Sequence, residues 1–494
     1  MISQVLREAR KYEEVFGKMI PEENRPSFHL TPRTGWMNDP NGFCRYQGMY
    51  HMFYQYYPYA SHWDSMHWGH AVSRDLLHWE SLPAALAPDE PYDYNGCFSG
   101  SAMELPDGRH LLMYTGVRLE RGKDGRSHEV QTQNIAIGDG TDYEKYEGNP
   151  VLNERDLPAG ASRHDFRDPK IITLSDGRYL ALTGSRPADG SGQILAFESR
   201  DCLKWSYAGT LIQNQGRFGL MWECPDFFEL DGKWVLLTSP QDMLPEGFEY
   251  HNGNGTLALI GDFDEKALSF EPVSNQSIDY GIDFYAPQTI LTPDGRRVMI
   301  GWMQNWDACA IREPEAPWNG QMSLPRELFL KDGRLCQRPL RELNDLRKDK
   351  VSFENVHVSK KTILPGIRGR KLDMELVISP VQDQPVYQKF TVLFAENEKY
   401  NTKLSFRPHE GTLKIDRKFS GSRRAIIHQR RAKVSAPDAC LKLRIILDRY
   451  SVEVFIGDGE QTMSAVLYTD LEADGISFQA VGEAMLSVTK WELQ

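Results

Sequence analysis

DGRYLALTGS, residues 176–185, is a turn signal followed by an apolar strand that ends in small residues, and it decides the fold because it recurs. The same pattern reads QGMYHMFYQYY from Gln47, DGRHLLMYTG from Asp107, DGKWVLLTSP from Asp231 and DGRRVMIGWM from Asp294. Successive starts lie 60, 69, 55 and 63 residues apart, which is room for a four-stranded sheet and its loops. Five such units predict a five-bladed β-propeller. Asp-Gly hairpins recur in any all-β protein, so a second echo matters: SRDLLHW from Ser73 and SRDCLKW from Ser199 occupy the same place after two of the units.

Working outward, residues 2–20 place Val5, Leu6, Ala9, Tyr12, Val15 and Phe16 at near-helical spacing, so residues 1–25 read as an N-terminal helical arm. The propeller is expected over 26–335. At 331–350 the text turns to KDGRLCQRPLRELNDLRKDK, charged and without a strand period, and 336–350 reads as a linker. Beyond it KFTVLFA, TKLSFRP, TLKIDR, LKLRIILDRYSVEVFI, MSAVLY and AMLSVTKWEL alternate apolar with polar positions, the pattern of half-buried antiparallel strands. Residues 351–494 are therefore expected to form a β-sandwich. The fold class is all-β.

Composition narrows the function. Of 494 residues, 40% are hydrophobic and 26% charged, which fits a packed globular protein and excludes disordered and collagen-like classes. Acidic residues outnumber basic ones 69 to 57, for a net charge of −12; such a surface repels phosphodiester backbones and anionic lipid, so neither nucleic acid nor membrane is expected as a partner. The first twenty residues carry charges throughout, unlike a secretory signal. The seven cysteines, at 44, 97, 202, 224, 309, 336 and 440, contain no C-x-x-C pair. Reduced thiols in a cytoplasm are the expectation.

Three acidic residues stand out by context: Asp39 in WMNDPNG, Asp168 in FRDPK and Glu223 in WECPD. A proline follows each within two positions, and proline drives its predecessor out of the right-handed helical region, so Asp39 and Asp168 should be held extended, with Cys224 similarly constrained. Carboxylates on different blades can converge at a propeller's axis. Each motif alone is also a good surface turn; together they meet the demand of glycoside hydrolysis for two carboxyl groups of opposed protonation. Trp222 and Cys224 beside Glu223 suggest desolvation that suits a proton donor. Asp39, next to the amide of Asn38, suits an ionised nucleophile, and Arg167 should keep Asp168 charged as a ligand for sugar hydroxyls.

With these motifs in this order, the sequence resembles glycoside hydrolase family 32, the group of invertases, sucrose-6-phosphate hydrolases and fructanases. The likeness continues through FSGSA at Phe98, DFYAPQT at Asp283, IGWMQNW at Ile300 and WNGQMSLPREL at Trp318. The resemblance implies a five-bladed propeller joined to a β-sandwich, with Asp39 as nucleophile, Glu223 as acid/base and Asp168 as transition-state stabiliser. It also implies a fructose pocket made by Asn38, Gln55, Trp63, Phe98, Ser99 and Arg167, with Trp36 and Met37 from the first motif and Tyr285 and Trp302 from the later ones. The substrate would be sucrose, sucrose 6-phosphate or a short fructo-oligosaccharide, cut by a retaining mechanism without a cofactor.

Competing readings are a fructosyltransferase on the same scaffold, an inverting five-bladed propeller glycosidase, and a non-catalytic sugar-binding protein. His62, His67 and His70 have the spacing of no common metal site, and GNGTLALIG at Gly253 lacks dinucleotide-binding spacing, so no metal is expected. The basic stretch RLERGKDGRSH, from Arg118 to His128, reads first as a solvated hairpin and second as a contact for a sugar phosphate.

Overall fold

The structure, a computed structural model, describes residues 2–187, 189–309, 316–421 and 427–494. The N-terminal helix spans Gln4–Gly17, shorter than the 2–20 suggested by periodicity, and Ser3 caps it by accepting the Leu6 N–H at 3.1 Å. The helix is docked rather than free. Leu6, Ala9 and Glu13 are buried, and Glu13 accepts the N–H of Ala84 at 2.8 Å from the strand Trp79–Leu86.

Each repeat of the sequence builds one antiparallel sheet. The first joins Gly35–Tyr46, Met49–Tyr57, His67–Ser73 and Trp79–Leu86; the next joins Gly96–Glu104, His110–Arg121, Ser127–Gly138 and Tyr143–Lys145. Then come Ala161–Thr173 through Ser206–Gln213, Trp222–Leu230 through Ser269–Ser277, and finally Tyr285–Leu291, Arg297–Trp302, Arg326–Lys331 and Arg334–Pro339. In every one the repeated segment is the second strand. Its turn glycine, at 48, 108, 177, 232 or 295, has φ between 78° and 83°, a left-handed conformation that side chains resist, which is why the turn signal is so regular. The Ser73 and Ser199 echoes are matching turns: each serine hydroxyl accepts the N–H groups two and three residues on.

The first strands of the sheets lie against one another in order, and Tyr285–Leu291 returns to lie against Gly35–Tyr46. The ring is latched by Trp318–Asn319, which pairs in parallel with Gly35 and Trp36. The result is a β-propeller whose innermost strands surround one axis.

The remaining strands form a β-sandwich. One sheet runs in the order Arg347–Val358, Ala484–Leu493, Lys371–Pro380, Leu441–Asp448, Ser451–Ile456, Gln461–Val466. It packs through Leu376, Ile445 and Val454 on the other sheet's Phe390, Leu404 and Phe478. The stretch 336–350, expected to be a linker without a strand period, carries strand at both ends. It contains the end of the strand Arg334–Pro339, a short 3₁₀ turn at Arg341–Leu346 and the start of Arg347–Val358. Alternating charges hid these edge strands because their exposed faces need no apolar residues.

The two domains share a buried ionic network. His29 places Nδ1 2.8 Å from Asp448 and Nε2 3.0 Å from Glu453; both partners only accept, so both ring nitrogens carry hydrogen. Burial pulls the His29 pKa down, but the two carboxylates outweigh it and hold it up at about 9. Arg326, from the propeller, donates to Glu453 and to Asp279. Among the described residues no helix is long and apolar enough to cross a membrane.

Candidate active site

Among the described residues each inner strand breaks register, between Met37 and Pro40, Phe98 and Gly100, Arg167 and Lys170, Glu223 and Asp226, and Tyr285 and Gln288. A bulge re-aims the side chains beside it, and four of these bulges contain a proline: Pro40, Pro169, Pro225 and Pro287. Asp168 and Cys224, expected to be extended, have φ of 63° and 49°. Proline excludes the right-handed helical region but not this one, and the bulge supplies the turn.

The bulges bring the three carboxylates to one cavity of about 390 Å³. Asp39, Asp168 and Glu223 line it with Asn38, Gln55, Trp63, Phe98, Ser99 and Arg167. Asp39 is 8% exposed. Its Oδ2 accepts the Ser99 hydroxyl at 2.7 Å, while Oδ1 has no protein partner. Asp168 Oδ2 accepts the Cys224 N–H at 2.9 Å, and the Cys224 thiol lies 3.5 Å from both Asp39 and Asp168. Glu223 Oε1 accepts Arg167 Nε at 3.0 Å; Oε2 accepts Gln241 Nε2 at 2.9 Å and the Tyr285 hydroxyl at 2.7 Å.

Three electrostatic expectations are corrected. Arg167 points to Glu223, Gln131 and Asp165. Adjacent strand side chains face opposite ways, so Trp222 turns into the core and donates to the Phe218 carbonyl while Glu223 meets charged and polar donors. Asp39 does not keep an ordinary carboxylate pKa: burial and the nearby Glu223 raise it to about 6 against the bonds from Ser99 and Asn38. Burial likewise pushes Asp168 up to about 7, overcoming the attraction of Arg167, with Glu223 and Asp39 adding to the rise.

Four expected pocket residues do not line the cavity. Met37 faces the other side of its strand and packs with Leu6, Phe28 and Met52. Trp36 lies behind Asn38, donating to its Oδ1 at 2.7 Å, and Trp302 lies behind Trp36 in an edge-on contact at 5.9 Å. Tyr285, fully buried, reaches the cavity only through Glu223. The cavity also gathers Glu129, Gln131, His164, Asp165, Gln241 and Trp306. Trp306 falls in the IGWMQNW stretch and Asp165 three residues before Asp168, which were usable signals. Glu129 and Gln131 carry none: they stand two apart on the strand Ser127–Gly138.

An aromatic rim of Trp63 and Phe98, in edge contact at 5.9 Å, over a floor of carboxylates, amides and one guanidinium is the chemistry of a site for a small polyol ring. The model of the glycosyl hydrolases family 32 N-terminal domain matches residues 29–339, and that of the family's C-terminal domain matches 342–492. The chain is 37% identical to a raffinose invertase of Escherichia coli over 491 residues, covering 95% of each. It is 34% identical to a sucrose-6-phosphate hydrolase of Zymomonas mobilis, covering 97% of this chain and 94% of the other. Among solved structures, a Bombyx mori GH32 β-fructofuranosidase superposes with a TM-score of 0.84 at 34% identity, over 99% of this chain and 98% of the other. With both of its domains matched to that family, the chain is a glycoside hydrolase and belongs to glycosyl hydrolase family 32.

Proposed function

We propose that the protein is a retaining β-fructofuranosidase that removes the terminal fructosyl unit of sucrose, sucrose 6-phosphate or a short fructo-oligosaccharide. The observation that carries this reading is the pairing of an unpartnered Asp39 Oδ1 with a Glu223 carboxyl anchored by three donors in the same cavity. In the first step Glu223 gives its proton to the glycosidic oxygen, the bond from that oxygen to fructosyl C2 breaks, and Asp39 Oδ1 bonds to C2. In the second, water attacks C2, its proton passes to Glu223 and the Asp39 ester breaks. Asp168 holds fructosyl hydroxyls as charge develops on the ring. The names of the relatives, raffinose invertase and sucrose-6-phosphate hydrolase, and a solved Bombyx mori complex with sucrose support this substrate class. The closed order of the inner strands supports a propeller of five blades.

The test is twofold. Asp39→Ala and Glu223→Ala should each lower sucrose turnover by several orders of magnitude with circular dichroism unchanged. With methanol as acceptor the wild type should yield the methyl β-fructoside; the α-anomer would exclude a covalent intermediate. Either alanine variant keeping more than about a tenth of the activity would remove that residue from its role.

A further inference from the structure

We propose that Tyr285 is a positioning residue whose single hydroxyl proton follows the charge on Glu223, allowing that carboxyl to act as acid in the first step and as base in the second. The proposal rests on the acid/base reading of Glu223 above. Its basis is a mismatch between donors and acceptors. The Tyr285 oxygen lies 2.7 Å from Glu223 Oε2 and 2.9 Å from the carbonyl of Ser239, and a phenol has one proton to give. It cannot serve both at once.

Of the other groups holding Glu223, Arg167 can only donate, and Gln241 could accept only by turning its whole amide over. Arg167 donates to Oε1 and Gln241 to Oε2 through nitrogens that only donate. A carboxyl that alternates between neutral and ionised needs at least one neighbour that alternates with it. Once Glu223 has passed its proton to the leaving oxygen, the phenol donates to the carboxylate, because a bond to a charged acceptor is the stronger one. When Glu223 has recovered a proton from water, the phenol turns to the Ser239 carbonyl and offers the carboxyl a lone pair.

The frame around this hydroxyl is rigid. Ser239 stands opposite Glu223 in the strand ladder. The Ser239 side chain accepts the Ala286 N–H at 2.9 Å, tying the carbonyl to the strand that carries Tyr285. Trp302 packs against the tyrosine ring edge-on at 6.5 Å. Burial and the neighbouring Glu223 keep the phenol well above its ordinary pKa, so it stays neutral at working pH. Tyr285 does not line the cavity, so its effect runs through Glu223.

The test uses the full-length Tyr285→Phe variant with sucrose and with p-nitrophenyl β-fructofuranoside, with and without azide, across pH. The second step should slow by about 10- to 100-fold, the worth of one hydrogen bond to a charged group. KM for sucrose should fall with kcat as the intermediate accumulates. Azide needs no proton removed, so it should restore turnover of the p-nitrophenyl substrate, and the alkaline limb of the pH profile should move. Replacing Tyr285 by 3-fluorotyrosine, which keeps the shape and strengthens the donor, should move that limb the opposite way. A kcat loss without azide rescue and with both pH profiles unmoved would reduce Tyr285 to packing and overturn the proposal. Retained activity in Glu223→Ala would instead overturn the acid/base reading, whatever Tyr285 does.

Discussion

Asp39→Asn should abolish turnover and stabilise the fold, and the size of the gain follows from the burial of one charge. Asp39 is raised from 3.8 to about 6, chiefly by burial and then by Glu223. A carboxyl with a raised folded-state pKa is fully accommodated below its unfolded value, and the stability linked to it is lost as pH rises through the folded value. About two units correspond to about 3 kcal/mol of strain borne at pH 7.5, falling to about 1 kcal/mol at pH 4.5. Asparagine keeps an oxygen for the Ser99 hydroxyl and turns its NH₂ to where Oδ1 has no protein partner, so no existing hydrogen bond is lost. The variant should therefore unfold about 3 °C higher than the wild type at pH 7.5 and by much less at pH 4.5, read by calorimetry at both values. An unchanged midpoint at pH 7.5 would show that the charge costs nothing. An equal gain at both values would trace it to packing.

Other outcomes follow from the same contacts. Because Asp39 must be ionised to attack, kcat/KM should fall about tenfold per pH unit below about pH 6; a plateau down to pH 4.5 would place the nucleophile elsewhere. His29, held near 9 by Asp448 and Glu453, lends stability that is complete below about pH 6.5 and lost as pH rises through about 9. Urea unfolding from pH 7 to 10 should show that decline, and His29→Gln should cost about 3 kcal/mol at pH 7 by removing the buried cation that Asp448 and Glu453 share. In the basic hairpin Arg118 turns to Glu120 and Glu154. Arg121 stands opposite Ser127, on the face that carries Glu129 and Gln131. Arg121→Ala should therefore change the ratio of efficiencies on sucrose 6-phosphate and sucrose, and Arg118→Ala should not; a shift in Arg118→Ala alone would reverse that assignment.

What the sequence by itself determined was whatever local rules control. Glycine turns at fixed places, Gln-Gly at 47 and Asp-Gly at 107, 176, 231 and 294, mark the second strands of the propeller sheets because only glycine sits easily at φ near 80°. Period-two alternation marks the sandwich strands because one face is buried. The three carboxylate motifs were visible because each bulge carries its proline in the adjacent text. Only the tertiary structure decided which way side chains point and what charge costs there. A one-residue bulge sends Met37 into the core and Asp39 into the cavity, and no local pattern sets that register. Arg167 pairs with Glu223, 56 residues away, while its neighbour Asp168 is turned by the bulge to the Cys224 N–H, a choice made by the backbone geometry and not by adjacency in sequence. Desolvation of Asp39 and Asp168 is a sum over atoms from several inner strands, so the rise of both carboxyls existed only once the ring had closed.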